Sequence, residues 1–153
     1  MHTFSISIDI AQPVDRVWAV MADVDRWHEW TPSIKGVRRL DGQPLAMGSR
    51  VEIRQPGFPA ARWTVSDLVA GERFSWVSVA PGLHVTGHHA VMPIPGGSRA
   101  TLGIEIEGLC GGIWARLTRA ITERYIGYEA QGLKARAEDQ AFRHGGLPQS
   151  RHR

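Results

Sequence analysis

The stretch TFSISIDIAQPVDRVWAVMADVDRWHEWTP, from Thr3 to Pro32, changes period twice, and those changes decide the architecture. Its first residues, Thr3–Ile10, alternate polar and apolar without a break. Period two over that length makes a half-buried strand, with Phe4, Ile6, Ile8 and Ile10 on the covered face. Pro13 then suits the first position of a helix, and Asp15 in the first turn complements the helix dipole. Val14, Val17, Trp18 and Met21 follow at spacings of three and four, which gathers them into one apolar stripe. A second short helical turn, Val24 to His28, comes next, and Pro32 ends it.

Towards the C-terminus, residues 34–107 break into short extended segments. Asp41-Gly42, Met47-Gly48, Pro56-Gly57, Ala70-Gly71, Pro81-Gly82 and Pro95-Gly96-Gly97 separate them. Turn chemistry at that regular spacing predicts an antiparallel meander rather than βαβ units. The segments are Lys35–Leu40, Ser49–Arg54, Arg62–Val69, Arg73–Val79, His84–Met92 and Arg99–Glu107. A last segment, Ile113 to about Glu138, is helical, because Ile113, Leu117, Ile121, Tyr125 and Tyr128 recur every three or four residues. Gly127 and Gly132 weaken it by roughly 1 kcal/mol each relative to alanine. No internal repeat or linker divides the chain, so residues 1–140 read as one domain and 141–153 as a flexible tail rich in Gly, Pro, Ser, His and Arg.

Specific residues within this order carry a family resemblance. The run Ile10-Ala11-Gln12-Pro13 with Val17-Trp18, then Asp23-Val24 and Trp27-His28-Glu29-Trp30-Thr31-Pro32, resembles the opening of the polyketide cyclase/dehydrase-like branch of the START-like (SRPBCC) superfamily. Gly36-Val37 and Gly48-Ser49-Arg50-Val51 extend the resemblance, which covers residues 3 to 138. It implies an α+β helix-grip fold: a curved antiparallel sheet of about seven strands around a long C-terminal helix, with two short helices after the first strand. It also implies a cavity between sheet and helix, but no shared catalytic set, so the site is argued from residues.

Hairpin pairing supplies that argument. With Val79 opposite Leu83 across the Ala80-Pro81-Gly82 loop, Ser78 meets His84, Trp76 meets Thr86, and Phe74 meets His88. With Met92 opposite Ala100, His88 meets Ile104 and Thr86 meets Ile106. One face then collects Phe74, Trp76, Ser78, His84, Thr86, His88, Ala90, Met92, Leu102, Ile104 and Ile106. The other collects Arg73, Ser75, Val77, His89, Thr101, Glu105 and Glu107. The first is mostly apolar and is assigned to the concave side; the second is polar and is assigned to solvent. A slip of one residue would invert any strand. In Arg62–Val69 either Trp63 or Thr64 faces inward.

An apolar pocket with a few convergent polar groups is what small-ligand sites look like. The expected lining is Trp30, Phe58, Phe74, Trp76, Ser78, Thr86, Leu102, Ile104, Ile106, Trp114, Leu117 and Ile121. Trp30 and Trp114 are placed at the entrance. Phe58, at the tip of the rigid segment Gln55-Pro56-Gly57-Phe58-Pro59-Ala60, is read as a lid or a homodimer contact, with folding back onto the sheet as the alternative. His84 and His88 are the candidate acid–base residues, since imidazole exchanges protons near neutral pH. Ring closure or dehydration of a polyketide-like compound needs such transfers. The rival reading is a non-catalytic carrier or sensor of a hydrophobic metabolite, and a protein-interaction module is a third.

Other chemistries find no support. His84 and His88 lie about 13 Å apart along a strand, too far for one metal ion, so no metal is expected. There is no nucleophile elbow and no phosphate-binding loop, and no cofactor is expected. The net charge of +3 comes from scattered and C-terminal basic residues, which disfavours nucleic acid. The single Cys110 fits a reducing cytoplasm. The N-terminus shows no secretory signal, and no apolar run is long enough for membrane insertion. The expected partner is a small hydrophobic molecule.

Overall fold

In the computed structural model, which describes residues 1–42 and 44–144, the N-terminal alternation becomes β1, His2–Ile10. Phe4, Ile6, Ile8 and Ile10 turn to the covered side, and Thr3, Ser5, Ser7 and Asp9 turn to solvent. Pro13 stands one position earlier than expected, as the N-cap of α1, Val14–Ala22, with an extended backbone (φ −67°, ψ 159°). A 3-10 helix, Val24–Glu29, follows and buries Val24 and Trp27. The Trp27 indole N–H donates to the Met21 carbonyl at 3.0 Å, which ties the two short helices together.

The meander forms as expected: β2 Gly36–Arg39, β3 Arg50–Arg54, β4 Ala61–Val69, β5 Arg73–Ala80, β6 Leu83–Ile94 and β7 Gly97–Glu107. All pairings are antiparallel in one seven-stranded sheet of order β1-β7-β6-β5-β4-β3-β2. The α2 helix, Gly111–His144, continues past Glu138 into the segment expected to be a flexible tail. The rest of that expectation, 145–153, lies outside the described residues. The close contacts of α2 fall on β1, β7 and α1. Gly132 has a packing reason: a Cβ there would sit 2.1 Å from the Trp30 carbonyl oxygen, so α2 crosses Trp30 backbone to backbone.

One strand is inverted relative to expectation. Both hairpins use two-residue loops, with Ala80 paired to Leu83 and Ile94 paired to Gly97. Pro81-Gly82 and Pro95-Gly96 fill the central positions, and Gly82 and Gly96 take φ of 72° and 82°. Proline followed by a positive-φ glycine is the type II arrangement, which leaves no residue over for a longer loop. Val79 therefore pairs with His84 and Ser75 with His88, while Thr86 faces Glu105 on β7. The faces of β5 and β7 are as expected, but β6 turns over. Val85, Gly87, His89 and Val91 point inward, and His84, Thr86, His88, Ala90 and Met92 point out.

The concave face divides into a solid part and a hollow part. Trp18 and Trp27 of the short helices press on Phe74, with ring centroids 6.2 Å away in each case. Trp27 also meets Trp76 at 5.3 Å, and His89 stacks on Phe74 at 4.3 Å. Trp63, not Thr64, faces inward and contacts Trp76 at 5.7 Å. Over this half the sheet is filled with aromatic core. Beneath the first half of α2 the concave face instead borders a hollow.

Candidate functional site

A cavity of about 760 Å³ occupies the hollow between α2 and strands β4 to β7. Its sheet wall includes Trp63, Ser78, Leu83, Val85, Ile104 and Ile106, and its helix wall includes Ile113, Trp114, Leu117, Thr122, Tyr125, Ile126 and Glu129. The segment 55–60 forms a third side. Phe58 sits between Trp114 and Tyr125, at 6.0 Å from each ring, and the Tyr125 hydroxyl donates to the Pro56 carbonyl. The β3–β4 connection is thereby strapped to the helix across the cavity. Exposure along α2 shows where the cavity opens: Ile113 is 68% and Leu117 78% exposed, whereas Tyr125 is 9% and Ile126 7%. The mouth lies at the N-terminal end of α2, beside Val79, Pro81 and Cys110.

Of the expected lining, Phe58, Ser78, Ile104, Ile106, Trp114 and Leu117 border the cavity. Phe74, Trp76 and Leu102 do not, because the short helices cover their end of the sheet with core. Trp30 is not at the entrance; it packs on Trp27 at 5.6 Å and under Gly132. Ile121 lies beneath the strap, with its Cδ1 3.1 Å from where a Cβ of Gly57 would stand. Thr86, His84 and His88 are on the convex face, opposite the cavity. There His88 Nδ1 is 2.8 Å from the Ser75 hydroxyl, and its Nε2 is 3.3 Å from Glu105. His84 is 4.0 Å from Glu107. The candidate acid–base role given to these two histidines is corrected by the register: neither reaches the cavity.

The histidine that does face inward is His89. It is buried, and its Nδ1 donates to the Phe74 carbonyl at 3.3 Å. Loss of solvation pushes its pKa down to about 3; the carbonyl bond opposes this and the neighbouring His88 adds to it. A neutral ring locked into an aromatic stack is a core element.

Sequence reasoning missed Glu129. It borders the cavity from α2, and its Oε1 accepts a hydrogen bond from the Ser33 hydroxyl at 3.3 Å. Ser33 is buried and is within 2.7 Å of the Thr31 hydroxyl, so a short polar chain backs the carboxyl. Burial raises the Glu129 pKa to about 7, against the smaller opposing pull of the Ser33 bond. A carboxyl so poised exchanges a proton near neutrality, which is the property sought in the histidines. The signal was present in the sequence: Glu129 lies four residues after Tyr125 and four before Leu133, in the middle of a helical stripe of buried residues.

A curved antiparallel sheet gripping a long helix around a hollow defines the helix-grip class. The chain belongs to the polyketide cyclase / dehydrase and lipid transport family, whose model matches residues 1–138. No curated protein matches it by sequence. Among solved structures it is similar to the Zhui aromatase/cyclase from Streptomyces sp. R1128 (19% identity, TM-score 0.77, covering 95% of this chain and 99% of that one). It is also similar to the di-domain ARO/CYC StfQ from the steffimycin biosynthetic pathway (16% identity, TM-score 0.72, 92% of this chain and 51% of that one). A third similar structure is Ara h 8.0201 (12% identity, TM-score 0.70, 90% of this chain and 98% of that one). At such identities the likeness is one of fold. Among the described residues, no helix is long and apolar enough to cross a membrane.

Proposed function

We propose that the chain binds one small hydrophobic molecule, aromatic or polyketide-like in shape, in the cavity between sheet and α2. The carrying observation is the 760 Å³ hollow itself, walled by aliphatic and aromatic side chains with few polar groups. Ligand pockets run from about 300 to 1,000 Å³ with that kind of lining. The test is titration with the neutral fluorophore N-phenyl-1-naphthylamine. Saturation at one site per chain is expected, with binding weakened at least about ten-fold by Ile104→Trp, which fills the hollow. Binding that ignores both Ile104→Trp and Thr122→Trp would place the ligand elsewhere.

A specific observation favours a second reading, acid–base catalysis of cyclisation or dehydration. Glu129 puts a proton-exchanging carboxyl on the cavity wall, and the family resemblance and aromatase/cyclase neighbours support the chemistry. Turnover of a poly-β-ketone, lost in Glu129→Gln and kept in His84→Ala and His88→Ala, is the expected result. Recovery of such a compound unchanged after binding would leave the carrier reading in place.

A further inference from the structure

We propose that the cavity selects neutral ligands bearing a carbonyl or hydroxyl group over carboxylates, and that Glu129 is the group that reads the ligand's polar end. The inference rests on the cavity being the ligand site.

Besides the carboxyl of Glu129 the wall carries the neutral polar side chains of Gln55, Ser78, Thr122 and Tyr125 and the guanidinium of Arg62, so Glu129 is its one carboxyl. The Tyr125 hydroxyl is committed to the Pro56 carbonyl. Arg62 borders the cavity with a side chain 73% exposed, 3.9 Å from Glu52, so its charge belongs to solvent and to that partner. Ser33 engages Oε1 of Glu129, and among the described residues Oε2 has no hydrogen bond. Glu129 lies about 18 Å along α2 from Leu117, so a ligand that enters at the mouth and seats fully brings its leading end towards that side chain. Protonated, Oε2 donates to a ligand carbonyl; ionised, it accepts from a hydroxyl. A ligand carboxylate arriving there either meets a like charge in poorly solvated surroundings or must bring a proton with it.

The groups facing Glu129 do not reverse this. From the segment before β2 come the Ser33 and Thr31 hydroxyls, and from α2 one turn earlier comes Tyr125. The sheet wall of the same cavity adds apolar surface from Trp63 on β4 and Ile104 and Ile106 on β7. The remaining titratable side chains on the wall are Arg62 and Cys110, both towards the mouth. Burial and the Ser33 bond are the causes that set the acidity of Glu129, with no charged neighbour among them.

The experiment displaces N-phenyl-1-naphthylamine with naphthalene, 2-acetylnaphthalene, 2-naphthol and 2-naphthoate, which share one skeleton. At pH 7 the acetyl compound and the naphthol are expected to bind at least about ten-fold more tightly than the naphthoate. A carboxylate is also the most water-loving of the four, so the comparison with Glu129→Gln isolates the side chain. That nearly isosteric variant should narrow the gap to about three-fold or less by improving naphthoate binding, with naphthalene unchanged. In the unmodified protein, acetylnaphthalene affinity should fall at least about three-fold from pH 6 to pH 8 as Oε2 loses its proton, and naphthalene affinity should not. Naphthoate binding as tightly as acetylnaphthalene, seated at Arg62, would overturn the proposal, as would a gap that survives Glu129→Gln. Should that variant fail to fold, a flat pH profile of the unmodified protein overturns it alone. Failure of naphthalene and the fluorophore to bind at all would instead remove the cavity as the ligand site. Binding of naphthalene without discrimination removes only the selectivity.

Discussion

At the scale of single residues, burial decides chemistry here more than residue type does. His84 and His88 are half-open on the convex face beside Glu107 and Glu105, where solvent-exposed polar contacts contribute about 0–1 kcal/mol. His84→Ala and His88→Ala should each shift the urea midpoint by an amount within that range and leave fluorophore binding within about two-fold. The two inward titratable groups should instead shape stability against pH, in opposite directions. His89 has a folded pKa of about 3 against an ordinary 6.5, so the unfolded chain binds more protons between those values. Its burial therefore costs stability progressively as pH falls from 6.5 towards 3, and His89→Gln should flatten that acid limb. Glu129 has a folded pKa of about 7 against 4.5, so the folded chain holds the extra proton. Stability should fall as pH rises from 4.5 through 7, by about 1–3 kcal/mol relative to Glu129→Gln, measured by urea denaturation at pH 5 and pH 8. Neither residue was legible from its own letter. His89 looked solvent-facing because β6 was set one residue out of register, and Glu129 was passed over on a helix read only for its apolar stripe.

Elements were more legible than faces. Period two in β1 and glycine-marked turns in residues 34–107 gave every strand, because those signals are local. The loop length between β5 and β6 was not fixed by a local signal of the same strength. Pro81-Gly82 closes the hairpin in two residues, and that one count turned a whole strand over. The stripe of Ile113, Leu117, Ile121, Tyr125 and Tyr128 was legible in α2, but its small-residue face was not: Ala115, Thr118, Ala130, Leu133 and Ala137 are buried there. Small residues bring α2 close to β1 and β7, and the large ones are left to line the mouth. Two glycines in this helix, equal by propensity, should therefore respond oppositely. Gly127→Ala meets no atom within 4 Å and should stabilise by about 0.5–1 kcal/mol. Gly132→Ala drives a methyl into Trp30 and should destabilise by about 1–3 kcal/mol despite its better propensity. Urea unfolding of the two variants checks both signs.

For the molecule as a whole, fold and hollow belong together: the short helices fill the Phe74–Trp76 half of the concave face, and a cavity lies between the rest and α2. Such a division was beyond the sequence, since apolar residues on the concave face look alike whether they pack on α1 or border a space. A ligand that completes the packing should stabilise the chain. At free concentrations about 100 times its Kd, N-phenyl-1-naphthylamine should add about 2.7 kcal/mol, seen as a concentration-dependent rise in Tm that Ile104→Trp abolishes. The chain of indoles gives the same event an optical reading. Trp63 touches the cavity on one side and Trp76 on the other; Trp76 adjoins Trp27, and Trp27 adjoins Trp30, at centroid separations of 5.7, 5.3 and 5.6 Å. Excitation passes between rings that close before it is emitted, so an absorbing guest beside Trp63 drains light from tryptophans it never touches. Occupancy of the cavity should dim the emission of the core as far away as the crossing of Trp30 with α2, making the protein a built-in antenna for its own ligand.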